Sequence, residues 1–131
     1  MLRFFVLACG GTIGTLLRYI LSEYDHKFSG GGFPVNTLLI NLAGSLIIGL
    51  AWGIRERLSV SPNMRLFIFM GVLGGFTTFS TFSLENFNLF REGAYRIMFL
   101  NIAIANTFGI ILVFFGYVAA RTLTGVLREL W

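Results

Sequence analysis

The chain is expected to be an all-α integral membrane protein with four transmembrane helices, the third broken near mid-membrane. Two observations carry this expectation. Of its 131 residues, 56% are hydrophobic and only 12% charged, with a mean hydropathy of +0.80, a balance outside the range of soluble domains. Charges collect between four long apolar runs, and the run from Leu66 to Leu84 carries an interior unlike any lipid-facing helix. We treat residues 1–131 as a single transmembrane domain, with spans at approximately 2–22, 35–54, 64–90 and 97–120.

The first span begins with Met1-Leu2-Arg3 and an apolar stretch ending at Cys9. Val6-Leu7-Ala8-Cys9 imitates a lipoprotein cleavage box. The apolar stretch before Cys9 is shorter than a signal-peptide core of about 7–15 residues, and the apolar pattern continues to Leu17, so we read a spanning helix. Gly10 and Gly14 form a small-xxx-small pair suited to close helix contact. Arg18 stands near the far end, as a snorkelling interfacial cation or one that draws anions into a vestibule or anchors a subunit interface. A polar loop holding His26 follows, closing with Ser29-Gly30-Gly31-Gly32.

Pro34 suits a helix start, and in the second span Thr37, Asn41 and Ser45 recur every four residues on one face. Asn41, near mid-span, is the costliest of these to bury; it either bonds a neighbouring helix or donates its amide to a dehydrated anion. Gly49 and Gly53 repeat the small-residue pairing.

The third span contains Gly71 to Ser83, with three glycines, five hydroxyl residues and three phenylalanines. Glycine weakens a helix and hydroxyls offer its backbone competing bonds. Irregular backbone at membrane depth persists only where protein buries it or water lines it. We therefore expect a broken helix beside an ion or substrate path. Phe76, Phe79 and Phe82 lie three apart and would share one face if helix persisted. Glu85 follows, and we expect it to form a structural or vestibular pair with an arginine. The last span holds Asn101, Asn106 and Thr107, with Gly109 and Gly116 for packing; Asn106, near the centre, is a candidate wall residue.

Four spans place both termini on one side with Arg3, Arg55, Arg57, Arg65, Arg121 and Arg128, against Lys27, Arg91, Arg96 and the boundary residue Arg18 on the other. Six cations against four is a weak orienting bias. Insertion in both orientations, and an antiparallel homodimer with its axis in the membrane plane, become the expectation.

At this point the residues resemble a known family. Gly74-Gly75 followed by Thr77-Thr78-Phe79-Ser80-Thr81-Phe82 is similar to the signature of the Fluc (CrcB-type) fluoride channels. The Asn41-Leu42-Ala43-Gly44 stretch, Arg18, the chain length and the four spans resemble that family too. The resemblance implies a dual-topology dimer with two pores that passively exports fluoride from the bacterial cytoplasm across the inner membrane. It implies that Phe79 and Phe82 line the pores, that Ser80 and Thr81 lie at the helix break, and that Asn41 hangs its amide into the passage. It further implies that Gly74 and Thr77 give backbone carbonyls to a central structural Na⁺ at the dimer interface. This chain departs from the family in carrying Ile110 after Gly109, where a hydroxyl is common, leaving Asn106 and Thr107 as substitutes.

The chemistry of these residue types is consistent with such a role. A selective pore must replace the water of a small, strongly hydrated anion in a narrow space yet release it readily. The Asn41 amide and the hydroxyls of Ser80 and Thr81 can donate to it, and the positive ring edges of Phe79 and Phe82 can face it, without a fixed charge. The alternative class is a proton-coupled anion or small-drug antiporter, which requires a mid-membrane carboxylate; the chain offers only the off-centre Glu85. A non-transporting assembly subunit leaves the buried hydroxyls unexplained. No catalytic set of nucleophile, base or metal ligands falls inside the spans, so no enzyme is expected.

Overall fold

The computed structural model describes residues 1–24 and 32–129; the expected polar loop, with His26 and Lys27, lies outside the described residues. Four helical stretches are each long and apolar enough to cross a membrane. Helix α1 covers Leu2–Tyr24 and α2 covers Val35–Arg55. The third span is composite: a short helix α3 (Pro62–Arg65), a π-helical stretch over Leu66–Val72, a single turn α4 (Leu73–Phe76), then α5 (Phe79–Arg91) after a gap at Thr77 and Thr78. Helix α6 runs from Tyr95 to Glu129. Its 35 residues reach about 52 Å at 1.5 Å per residue, well past a hydrocarbon core of about 30 Å.

The ends of these elements follow from local chemistry. Ser61 caps α3, its hydroxyl accepting from Met64 N–H, with Pro62 in the first turn where its missing N–H costs nothing. At the other end of the third span, Gly93 adopts φ +75°, and Ala94 N–H donates to the Leu89 carbonyl while Gly93 N–H donates to that of Phe90. This left-handed stop turns the chain into α6 within three residues, and it requires glycine.

Lipid provides no hydrophobic drive between helices, so association rests on close backbone approach and on polar contacts. Helix α1 lies along the first half of the third span, and α2 lies along α6. The glycine pairs mark both seams. A Cβ on Gly10 would stand 2.8 Å from the Phe67 carbonyl oxygen and 3.0 Å from Gly71 Cα. Gly49 faces Val113 and Gly116 faces Leu46, so α2 and α6 meet backbone to backbone. The same seam closes on the terminal side with Tyr117 O–H donating to Glu56 Oε2 at 2.7 Å and Arg121 donating to the Tyr117 oxygen at 3.0 Å. Large apolar side chains along α1 and α6 remain exposed, as a lipid-facing exterior demands.

Helix α5 is held differently. It leans on α6 and only brushes α2, and apart from the buried Leu89 its fixed points are polar.

Candidate functional site

The break in the third span is built by two threonines and one amide. Thr77 (φ −80°, ψ 157°) and Thr78 (φ −146°, ψ 114°) are extended, so the helix stops after Phe76 and restarts at Phe79. Asn41 of α2 meets this extended segment as a strand would. Its Nδ2 donates to the Thr78 carbonyl at 3.1 Å, and Thr78 N–H donates to its Oδ1 at 2.9 Å. Thr78 then caps α5: Thr81 N–H donates to its Oγ1 at 3.3 Å, and its hydroxyl donates to Thr81 Oγ1 at 2.9 Å. On the other side of the gap, the Leu73 carbonyl accepts both Thr77 N–H and the Thr77 hydroxyl at 3.0 Å.

One consequence concerns the carbonyls. In an uninterrupted helix, Thr78 N–H would serve the Gly74 carbonyl and Thr81 N–H that of Thr77. Here those donors are turned to Asn41 Oδ1 and Thr78 Oγ1. The carbonyls of Gly74 and Thr77 are thereby released from the ladder. Oxygen donors of this kind suit a hard cation, so these residues fit the group that the family resemblance implies.

A cavity of roughly 350 Å³ lies against the break. Asn41, Ser45, Phe79, Phe82 and Asn106 line it, with Gly74, Thr77 and Thr78 along the break itself. The rings of Phe79 and Phe82 have centroids 5.8 Å apart with an interplanar angle of 38°. Phe79 is 78% exposed and Phe82 half-buried. Asn106 Nδ2 donates to the carbonyl of Ile102 in its own helix at 2.7 Å, leaving its oxygen and one amide hydrogen uncommitted by that bond. No side chain in the lining carries a charge, and the first turn of α5, with its unspent backbone N–H groups, opens beside the cavity.

Several expectations change. The break lies at Thr77 and Thr78, before Ser80 and Thr81, because Asn41 engages the Thr78 backbone. Ser80 and Thr81 belong to the first turn of α5 and do not line the cavity. Phe76 does not join a stripe with Phe79 and Phe82: it precedes the break, is buried, and faces Gly44. Asn41 does not simply hang free, since one amide hydrogen is committed to the Thr78 carbonyl. Among the described residues Glu85 is paired with no arginine; its Oε1 accepts from the Thr37 hydroxyl at 2.5 Å, while Oε2 is buried without a donor among them. Arg18 sits half-buried on α1, away from the cavity lining.

Other lining residues escaped the sequence reading. Thr78 is legible in retrospect as a Thr-x-x-Thr cap. Phe69, Ile48 and Ala105 also line the cavity. Phe69 reaches it out of the π-helical stretch, stacked edge-on to Trp52 with centroids 5.5 Å apart. Nothing in local composition marks that turn.

The fold and site together define a class: a polytopic membrane protein whose broken span borders an uncharged, ring-lined cavity. The sequence profile described as "CrcB-like protein, Camphor Resistance (CrcB)" matches residues 5–117. The chain belongs to this family. It is 38% identical over 128 residues to the fluoride-specific ion channel FluC of Parabacteroides distasonis, covering 98% of this chain and 100% of that one. It is 41% identical to the FluC of Aquifex aeolicus, covering 91% and 97% of the two chains. With the Agrobacterium fabrum FluC it shares 40% identity over 94% and 99%.

Proposed function

We propose that the protein is a passive fluoride channel of the bacterial inner membrane, and the observation that carries this reading is the uncharged cavity beside the Thr77–Thr78 break. The relatives that span nearly its whole length are named fluoride-specific ion channels. The lining offers what a dehydrated fluoride needs. The ring edges of Phe79 and Phe82 are electropositive, the amides of Asn41 and Asn106 each have a hydrogen left to donate, and the hydroxyl of Ser45 stands nearby. A fixed cation in the same place would hold the ion too long for conduction. Ser80 and Thr81 serve by building the start of α5 rather than by touching the ion, and Arg18 acts at a distance, raising anion concentration at the mouth.

Proton-coupled antiport is not favoured. The lining contains no carboxylate, and Glu85 lies outside it. The protein is a channel and not an enzyme.

The working unit in this reading is an antiparallel homodimer. The exposed Phe79 at the rim of the cavity and the weak charge asymmetry both support a second copy as the missing wall. The released carbonyls of Gly74 and Thr77, from both copies, would hold a central Na⁺ and so tie the two breaks together.

Fluoride efflux from proteoliposomes tests the function. The expected result is rapid efflux that is indifferent to an imposed proton gradient. Efflux that follows the proton gradient would replace the channel with an exchanger. Labelling of single cysteines at the chain ends from both sides of the membrane tests the assembly, and one-sided labelling would overturn the antiparallel dimer.

A further inference from the structure

Asn101 of α6 is 1% exposed, in a part of the chain where a buried amide has only protein to bond. Its Nδ2 donates to Asn86 Oδ1 at 3.1 Å, and Asn86 Nδ2 in turn donates to the Phe82 carbonyl at 2.7 Å. The directions are fixed by the chain itself: the carbonyl can only accept, so Asn86 must donate to it, and Asn101 must donate to Asn86. Asn101 Oδ1 is left buried without a donor among the described residues. An orphaned acceptor costs stability, and neither amide lines the cavity.

We propose that Asn101 and Asn86 are positioning residues that hold the Phe82 ring in the anion path, an inference that rests on the fluoride-channel reading. Leu89 is the one buried apolar side chain of α5, and a helix held in lipid by a single apolar contact is free to roll about its axis. Two neighbouring residues prevent this. Glu85 is held from α2 by Thr37, and Asn86 is held from α6 by Asn101. Adjacent residues point about 100° apart around a helix axis, so the two bonds pull in different directions and fix the roll angle. Phe82 stands one turn before Asn86, and its carbonyl takes the second bond of the relay. A roll of α5 would carry the ring out of the cavity while leaving the fold assembled. The relay therefore sets how well the ring meets the anion, and with it the discrimination against larger halides.

The test replaces both amides, Asn86→Leu with Asn101→Leu, because removing the pair together leaves no orphan behind. This double variant should elute as the wild-type assembly. It should pass fluoride roughly tenfold more slowly, the scale of one lost hydrogen bond, and should admit chloride that the wild type rejects. Adding Phe82→Ile to it should slow it no further, since the ring is already displaced. Wild-type efflux and selectivity in the double variant would overturn the proposal. So would an undiminished effect of Phe82→Ile in that background, which a purely structural pair predicts. If the double variant does not assemble, Asn101→Thr and Asn101→Val decide, being equal in shape and differing in the donor: faster efflux with Thr upholds the relay, and equal rates overturn it. Failure of the wild type to move fluoride at all would instead sink the channel reading itself.

Discussion

Asn41 grips the backbone of Thr78 through two hydrogen bonds, at 3.1 and 2.9 Å, from an adjacent helix. The amide thus acts as one rung of a β-ladder at membrane depth. It satisfies both backbone groups of the residue just before the helix restarts, and it explains how an extended segment survives where water is scarce.

The first prediction concerns this grip. Asn41→Leu strands Thr78 N–H and its carbonyl, at about 1–3 kcal/mol for each unsatisfied group. The purified protein should melt at a clearly lower temperature and conduct poorly. Asn41→Asp keeps an acceptor for Thr78 N–H but places a negative charge beside the cavity. It should melt closer to the wild type while losing nearly all fluoride efflux. Equal melting curves for Leu and Asp would remove the grip from the account.

Phe79 and Phe82 supply the second. Phe79→Ile and Phe82→Ile each retain apolar bulk and remove an electropositive ring edge, worth about 0.5–1.5 kcal/mol where such edges pair. Each should slow fluoride efflux by roughly tenfold at the upper end of that range, with the elution volume unchanged. Wild-type efflux in both would take the rings out of the mechanism.

A third prediction separates channel from exchanger at Glu85. Its Oε1 depends on the Thr37 hydroxyl, and Oε2 has no donor among the described residues. Thr37→Val should therefore destabilise the protein by about 1.5–3 kcal/mol, the range for bonds to charged groups. Adding Glu85→Gln should recover part of that loss, since a neutral amide is cheaper to leave under-bonded. Glu85→Gln alone should still pass fluoride indifferently to proton gradients, as proteoliposome measurements at two internal pH values would reveal.

The seam between α1 and the third span gives a fourth. Gly10→Ala drives a methyl to 2.8 Å from the Phe67 carbonyl oxygen. The helices must separate, at about 1–3 kcal/mol for an overpacked contact. Gly11→Ala, one residue on, meets nothing within 4 Å and should hold or slightly raise the melting temperature, since Ala favours a helix over Gly by about 1 kcal/mol, which makes the pair an internal control in a thermal-shift assay.

What was readable in the sequence divides along physical lines. The Thr37, Asn41 and Ser45 ladder was legible because helical spacing alone places the three on one face. All three face the third span or the cavity, through Glu85, Thr78 and the lining. That the third span breaks was legible from its glycines and hydroxyls. Where it breaks was not, because Thr77-Thr78 and Ser80-Thr81 are locally alike and only Asn41, thirty-seven residues before Thr78, chooses between them. Glu85 looked destined for an arginine because charge is visible in sequence, whereas the Thr37 hydroxyl that reaches it is an ordinary helical residue. Asn101 gave no signal beyond its polarity; its importance lies in burial, a property of packed helices.

The π-helical stretch from Leu66 to Val72 has one further consequence. Wider turns accommodate a surplus residue relative to the α-helix, so this stretch can absorb a change in chain length that its neighbours cannot. Excising one residue there should let the segment tighten into regular α-helix and preserve membrane insertion. The same excision within α2 would misalign Thr37, Asn41 and Gly44 against everything they touch. Natural insertions and deletions among relatives should concentrate in the first of these places and avoid the second.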